Sequence, residues 1–240
     1  MNRSSLFITL MSPILLCAAL PGFADGRNRI GPIRRSTAIV VDERLSALRA
    51  APALSAELFH RVARGRMLVV RAERNGVDGI VFYKVNVTRR TSGWIQREAV
   101  IRPRQPGEDR RLFRLIGASK DFDLIIRARI FLQVFPHSPL RPQVLLLYAA
   151  AAEGASEKLS RDVSRRLDRA EMEAGGAPEF SYFLNYTGLD RYNRQGVRFA
   201  FDVKSKEFRY DGKAYREIMR RYPGSPEAVE ARKRLVAPSF

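Results

Sequence analysis

Cysteine is almost missing from this chain: there is one in 240 residues, Cys17. It sits in LFITLMSPILLCAAL, an apolar stretch that follows the short basic start MNRSS and ends in PGFA. Gly22 and Ala24 put small residues three and one positions before Asp25, the pattern of a secretory signal peptide over 1–24. If Cys17 leaves with that segment, disulfides, thiol nucleophiles and cysteine-ligated zinc are excluded, and stability has to come from packing. Lipidation at Cys17 is disfavoured, because lipid-acceptor signals carry a small residue just before the cysteine and Leu16 stands there. A membrane-spanning helix needs ~20 apolar residues, whereas this run is shorter and holds Pro13. Export to the periplasm or cell envelope is the expectation.

Histidine is nearly as scarce. His60 and His137 are the only two, and neither has a second histidine or a cysteine at metal-ligand spacing. No Gly-x-Ser-x-Gly occurs to present a nucleophilic serine. Asp121 with Asp123, and Glu171 with Glu173, stand two apart, a spacing that sends helical side chains to different sides. No metal, no cofactor and no catalysis are therefore expected. The remaining enzymatic alternative is an envelope hydrolase, or an accessory subunit of one, whose carboxylates meet only in space.

Acid is scarce relative to base: 43 Lys and Arg face 25 Asp and Glu, a formal charge of +18. Losing the leader would remove only Arg3. Few of the cations are lysines, and the arginines fall in scattered pairs such as Arg34-Arg35, Arg89-Arg90 and Arg165-Arg166. No nucleic-acid motif accompanies them, so a specific nucleic acid is not an expected partner. For an exported chain the available anions are head groups of an anionic membrane touched peripherally, lipopolysaccharide, wall polymers and acidic proteins. Polyanion binding is thus one functional alternative; an arginine-rich solvated surface is the plain one.

What is present changes character near residue 103. Over 36–103, TAIVV, ELFH, RMLVVRA, IVFYKVNVT and GWIQREAVI read as short strands separated by turn signals. In the fourth, Tyr83, Val85 and Val87 alternate with Lys84, Asn86 and Thr88, which suits a sheet with one buried face. Asn75-Gly76 and Asp78-Gly79 supply positive-φ residues for a tight connection. Five such strands in so short a stretch predict a small β-barrel.

Leu48-Arg49-x-x-Pro52, Gly65 before Val69-Val70, Tyr83 in the central strand and Gly93-Trp94 opening the last arm together resemble the bacterial SH3-like (SH3b) domain. The resemblance covers about a quarter of the chain and lacks the usual Gly-Pro-Ser turn after Arg49. It implies a small barrel that binds cell-wall peptides or protein partners. Carried over by position, its ligand surface is Arg49, Pro52, Tyr83 and Trp94. Trp94 also suits a core position, since most tryptophans are largely buried.

RPRQPGED begins the aperiodic stretch read as a linker over 104–112, and a helical domain is expected over 113–240. In DFDLIIRARIFLQVF, Leu124, Ala128, Phe131 and Phe135 form one stripe, widened by Ile125 and Leu132, with Arg127 and Arg129 facing away. QVLLLYAAAA reads as a buried central helix, and EKLSRDVSRRLDRAEME as a further one ended by Gly175-Gly176. The five-residue punctuation YPGSP at 222–226 stops one helix at Pro223, lets Ser225 cap the next and places Pro226 at its first turn. FPHSP at 135–139 is expected to do the same, with Pro142 leaving the start of the following helix open. Helix, aromatic-Pro-x-Ser-Pro, helix resembles the tetratricopeptide (TPR) hairpins of bacterial envelope proteins, which implies protein docking. The two copies, however, are 87 positions apart, which is not a multiple of the ~34-residue repeat.

An aromatic-rich insertion at 178–212 interrupts the helices. Val197, Phe199, Phe201 and Val203 alternate with polar residues, predicting a two-strand excursion. Tyr186, Asn185, Tyr192 and Asn193 are candidates for a second, sugar- or peptide-binding surface, unless the rings cover the alanine-rich helices. The overall expectation is a multi-domain α and β protein of the envelope. Its SH3-like module would bind wall peptidoglycan or protein, and its helical hairpins would dock protein partners.

Overall fold

The structure is a computed structural model that describes residues 31–236; the signal peptide read over 1–24, with Cys17, lies outside the described residues. The chain is mixed α and β. The first part forms β1 (Thr37–Val40), β2 (Ala47–Arg49), β3 (Leu58–Arg61), β4 (Met67–Asn75), β5 (Val81–Asn86), β6 (Ser92–Gln96) and β7 (Val100–Ile101). They make one antiparallel sheet in the order β3-β2-β6-β5-β4-β1-β7.

Two features depart from the sequence expectation. Leu48-Arg49, outside the stretches read as strands, lies in strand β2, which pairs with β6 at Arg49↔Trp94. GWIQREAVI is not one strand, because Arg97–Ala99 makes a 3-10 turn in its middle. That turn frees β7 from β6 to pair with β1, at Ile39↔Ile101 and Val40↔Val100. β1 is buried along its whole length, and its alternation explains why. Ala38 and Val40 join Leu48, Leu68, Val85, Ile95 and Val100 in the core of the sheet. Ile39 and Val41, with Ile101, turn the other way onto the helices. A strand covered on both faces needs a continuous apolar run, which is what TAIVV supplies.

The helices begin with α1 (Glu108–Gly117), α2 (Asp121–Val134) and α3 (Arg141–Arg166). The stretch read as a linker over 104–112 is thus partly helix, and it is tied to the sheet. Arg102 N–H donates to Glu108 Oε2 at 3.0 Å, and Arg111 donates to the Val100 carbonyl. One apolar cluster runs from Ile39, Val41 and Ile101 through Leu112, Ile116, Ile125 and Phe131 to Val144 and Leu159. The boundary near 103 is a change of secondary structure and not a break in packing.

α2 is correspondingly buried nearly all round, and Arg127, expected to face away, is only 3% exposed. The sheet occupies the side that periodicity assigned to solvent. Arg127 Nε donates to the Val41 carbonyl at 3.0 Å and Nη1 to Ser119 Oγ at 2.6 Å. Its Nη2 lies 3.3 Å from Asp42 Oδ2, an ion pair that falls short of hydrogen-bond geometry. Burial lowers the pKa of this guanidinium. The Asp42 carboxyl is held below the usual carboxylate range, chiefly by its hydrogen bond from Arg44. Alongside, Arg64 Nη1 reaches Asp123 Oδ1 at 2.7 Å, a second polar tie between sheet and α2.

α3 is a single helix where the sequence suggested two. Gly154 sits on its exposed side with open space around it, and the ~1 kcal/mol that a helical glycine costs is outweighed by packing of the flanking turns. The helix ends at Arg166, and the Asp168 side chain accepts the Glu171 N–H at 2.9 Å to start α4 (Arg169–Gly175). The insertion follows as α5 (Glu179–Leu184), α6 (Asp190–Arg194) and the hairpin β8 (Phe199–Asp202) with β9 (Glu207–Tyr210). Cross-strand Phe201 and Phe208 have ring centres 5.2 Å apart, with Phe183 5.0 Å from Phe201. The hairpin is pinned to α3 by the Phe208 N–H donating to Ser160 Oγ at 2.8 Å.

The chain closes with α7 (Lys213–Arg221) and α8 (Pro226–Val236). Ser225 Oγ accepts the Ala228 N–H at 3.2 Å, the cap that YPGSP encodes. Tyr215, Ile218, Ala228 and Ala231 pack on Leu145 and Ala149 of α3, small residues letting the backbones approach. FPHSP stops α2 at Val134, just before Phe135-Pro136, but does not cap the next helix. α3 starts at Arg141, beyond it, with no side-chain cap, and Ser138 Oγ donates to Asp109 Oδ2 at 2.8 Å instead.

Candidate functional site

The residues carried over from the SH3-like resemblance separate onto two faces of the sheet. Successive side chains of a strand point to opposite faces, and directly paired residues share one. Trp94 pairs with Lys84 on one side and Arg49 on the other, so these three share the outer face. Tyr83 pairs with Ile95, and both belong to the core on the inner face. Arg49 and Trp94 are brought together; Tyr83 is not part of their surface.

On the outer face Trp94 is 8% exposed, roofed by cationic side chains and not by the sheet core. The Arg74 guanidinium carbon is 5.9 Å and Lys84 Nζ 6.0 Å from its ring centre, within cation–π range. Arg49 Nη1 donates to the Ala56 carbonyl at 2.7 Å, folding the 50–57 loop over the end of β2. Pro52, half-buried in that loop, lies against the β4–β5 turn. A Cβ added at Gly76 would come within 2.6 Å of the Pro52 carbonyl oxygen and 3.1 Å of the Phe82 ring. Of the two glycines in that turn only Gly79 takes a positive φ, 74°; Gly76 is required for close approach instead.

The loop delivers the chain into β3, which among the described residues pairs only with β2 and ends the sheet. All four of its residues are exposed, Leu58 at 46% and Phe59 at 49%, with Leu54 of the loop at 44%. Sequence reading placed ELFH in a strand but had no means of recognising an open edge, which is a property of sheet order. His60 is exposed in the same strand and His137 in the turn before α3.

On the inner side, the Arg102 guanidinium lies 5.4 Å from the Tyr83 ring centre, over a cleft of about 370 Å³ with Glu73, Arg97 and Glu108. Burial raises the Tyr83 pKa. In the insertion, Tyr192 is fully buried, edge-on to Phe122 and Phe199 at 5.3 Å each, and Tyr186 packs on the same core. Asn185 and Asn193 are exposed, with Asn185 Nδ2 donating to the Ser181 carbonyl at 2.9 Å. The two tyrosines serve packing while the two asparagines face solvent. Among the described residues no group of three or more His, Cys, Asp or Glu could hold a metal ion, and no helix is long and apolar enough to cross a membrane.

No family profile, curated protein or solved structure matches this chain. What the molecule can do therefore rests on its own geometry. That geometry offers an open strand edge with exposed apolar side chains beside a cation-roofed indole, and, in the helical half, a cleft lined by Arg129, Arg141, Arg198 and Lys213.

Proposed function

We propose that this chain is an exported binding protein of the cell envelope, without catalysis of its own, whose SH3-like module takes up an extended peptide from the wall or from a protein. The observation that carries this reading is the edge strand β3, with Leu58 and Phe59 about half exposed and its outer backbone unpaired among the described residues. Sheet edges of this kind are normally blunted by charge, proline or a covering element, because they pair readily with another strand. Adding a peptide strand there would satisfy the backbone groups and cover the two apolar side chains. Arg49 acts by shaping the loop and not by gripping a ligand. The TPR-like hairpin of α7 and α8 is the proposed second docking element. Because one core spans sheet and helices, the two act as one body and not as separable modules.

The test uses the whole chain from Asp25 onward, immobilised and exposed to an envelope extract, with retained peptides identified by mass spectrometry. The expected result is that L58S/F59S loses them, while the unsubstituted protein keeps them at raised salt. Retention that is indifferent to L58S/F59S and falls linearly with log salt would refute peptide docking. It would favour the second reading, a basic polyanion-binding envelope protein, which the charge of +18 and the cation-lined cleft support.

A further inference from the structure

The cleft in the helical half lies where α2, the start of α3, residues 196–198 and the turn from β9 to α7 meet, and encloses about 430 Å³. That volume suits a small ligand. Four cations line it, Arg129, Arg141, Arg198 and Lys213, against two carboxylates, Asp211 and Glu217. Glu217 is ion-paired, whereas Asp211 keeps its charge and among the described residues takes only a backbone bond. Glu217 Oε1 takes Arg141 Nη2 at 2.8 Å and Arg221 Nη1 at 3.4 Å, and Asp211 Oδ1 accepts the Lys213 N–H at 2.9 Å.

Arg141 is more than nine-tenths buried, and its Nη1 donates to the Leu132 carbonyl at 2.7 Å. Its Nε is buried with no partner, an uncommon condition for a charged group. Arg198 and Lys213 are exposed, and among the described residues neither side chain enters an ion pair. Positive charge gathered around one concavity costs folding stability through mutual repulsion, and an anion in the cleft would reverse the sign of that cost. One wall is aromatic: Tyr148 and Tyr210 meet edge-on with ring centres 6.2 Å apart. The Tyr210 hydroxyl accepts the Ala214 N–H at 2.9 Å, which leaves its own proton to donate.

We propose that this cleft binds a small phosphate monoester. Its dianionic phosphate faces Arg129, Arg198 and Lys213, beside the Arg141 guanidinium, and its organic part lies on Tyr148 and Tyr210. A phosphate presents several acceptor oxygens to arginine forks, and its double charge answers the formal excess of positive over negative side chains lining the cleft. The site is separate from β3 and stands whether or not peptide docking there is correct.

Calorimetric titration of the chain from Asp25 onward with inorganic phosphate and with phenyl phosphate tests the assignment. Phenyl phosphate should bind saturably at one site and more tightly than inorganic phosphate. R198Q/K213Q, at two exposed positions, should weaken phenyl phosphate by about tenfold or more. R165Q/R166Q removes the same charge from the exposed end of α3 and should leave binding unchanged; far-UV circular dichroism confirms that both variants fold. Equal weakening by the two double variants would mean attraction to net charge alone and would overturn the site. So would absence of saturation, and a phenyl phosphate no tighter than inorganic phosphate would remove the organic ligand.

Discussion

Replacing Arg127 with methionine asks whether the sheet and the helices are joined by a polar tie as well as by apolar packing. Methionine nearly preserves the side-chain volume, so the change isolates the guanidinium. Three interactions disappear: the 3.0 Å bond to the Val41 carbonyl, the 2.6 Å bond to Ser119 and the 3.3 Å ion pair with Asp42. Hydrogen bonds to charged groups contribute ~1.5–3 kcal/mol each, and a buried carbonyl left unpaired costs ~1–3 kcal/mol. Against this, the variant no longer desolvates a guanidinium, a penalty that often cancels the Coulomb gain of a buried pair. Asp42 is not orphaned, since Arg44 stays 2.7 Å away. The net expectation is destabilisation by about 2–4 kcal/mol, or roughly 5–15 °C in Tm for a chain of this size.

Urea denaturation provides the assay, because the only tryptophan, Trp94, lies in the sheet while circular dichroism reports mainly the helices. For the unsubstituted protein the two transitions should coincide, as one continuous core requires. In R127M both midpoints should fall together with an unchanged slope. A shift below ~1 kcal/mol, or a more stable variant, would show that apolar filling serves equally well at this position. Separate transitions before any substitution would refute the single body itself.

Acid should act on the same junction. The Asp42 pKa is depressed in the folded state, so its contribution is fully present above the unfolded value of about 3.9 and is lost as pH falls through the folded one. The stability difference between the unsubstituted protein and D42N should therefore be largest near neutrality and shrink below about pH 4, read from urea midpoints. G76A places a methyl group against the Pro52 carbonyl and the Phe82 ring and should destabilise by ~1–3 kcal/mol in thermal unfolding. S225A removes the cap on α8 and should cost ~1 kcal/mol, with S138A leaving α3 helicity unchanged because the Ser138 hydroxyl accepts the N–H of Leu140, ahead of the helix, and none inside it.

Local chemistry carried much of the fold in plain view. The period-two stretches from TAIVV to GWIQREAVI mark the sheet, and the stop-and-cap logic of YPGSP specifies α7 and α8, because turns and caps are decided by a few neighbouring residues. The same logic misled at FPHSP, where Asp109, distant in sequence, claims Ser138. It also misplaced Arg127: periodicity predicts which face of a helix is polar but not whether a sheet will cover that face.

The candidate sites were less legible. Arg49 and Trp94 pair across β2 and β6, whereas Tyr83 belongs to the other face, a consequence of register that motif order cannot express. The sequence by itself determined the charge, the scarcity of cysteine and histidine, and, through its periodicity, the change from strand to helix near residue 103. Only the tertiary structure decided that β3 ends the sheet, that one core crosses the boundary, and that Arg141, Arg198 and Lys213 line one cleft. Each of these depends on residues far apart in the chain, and sequence periodicity describes only near neighbours.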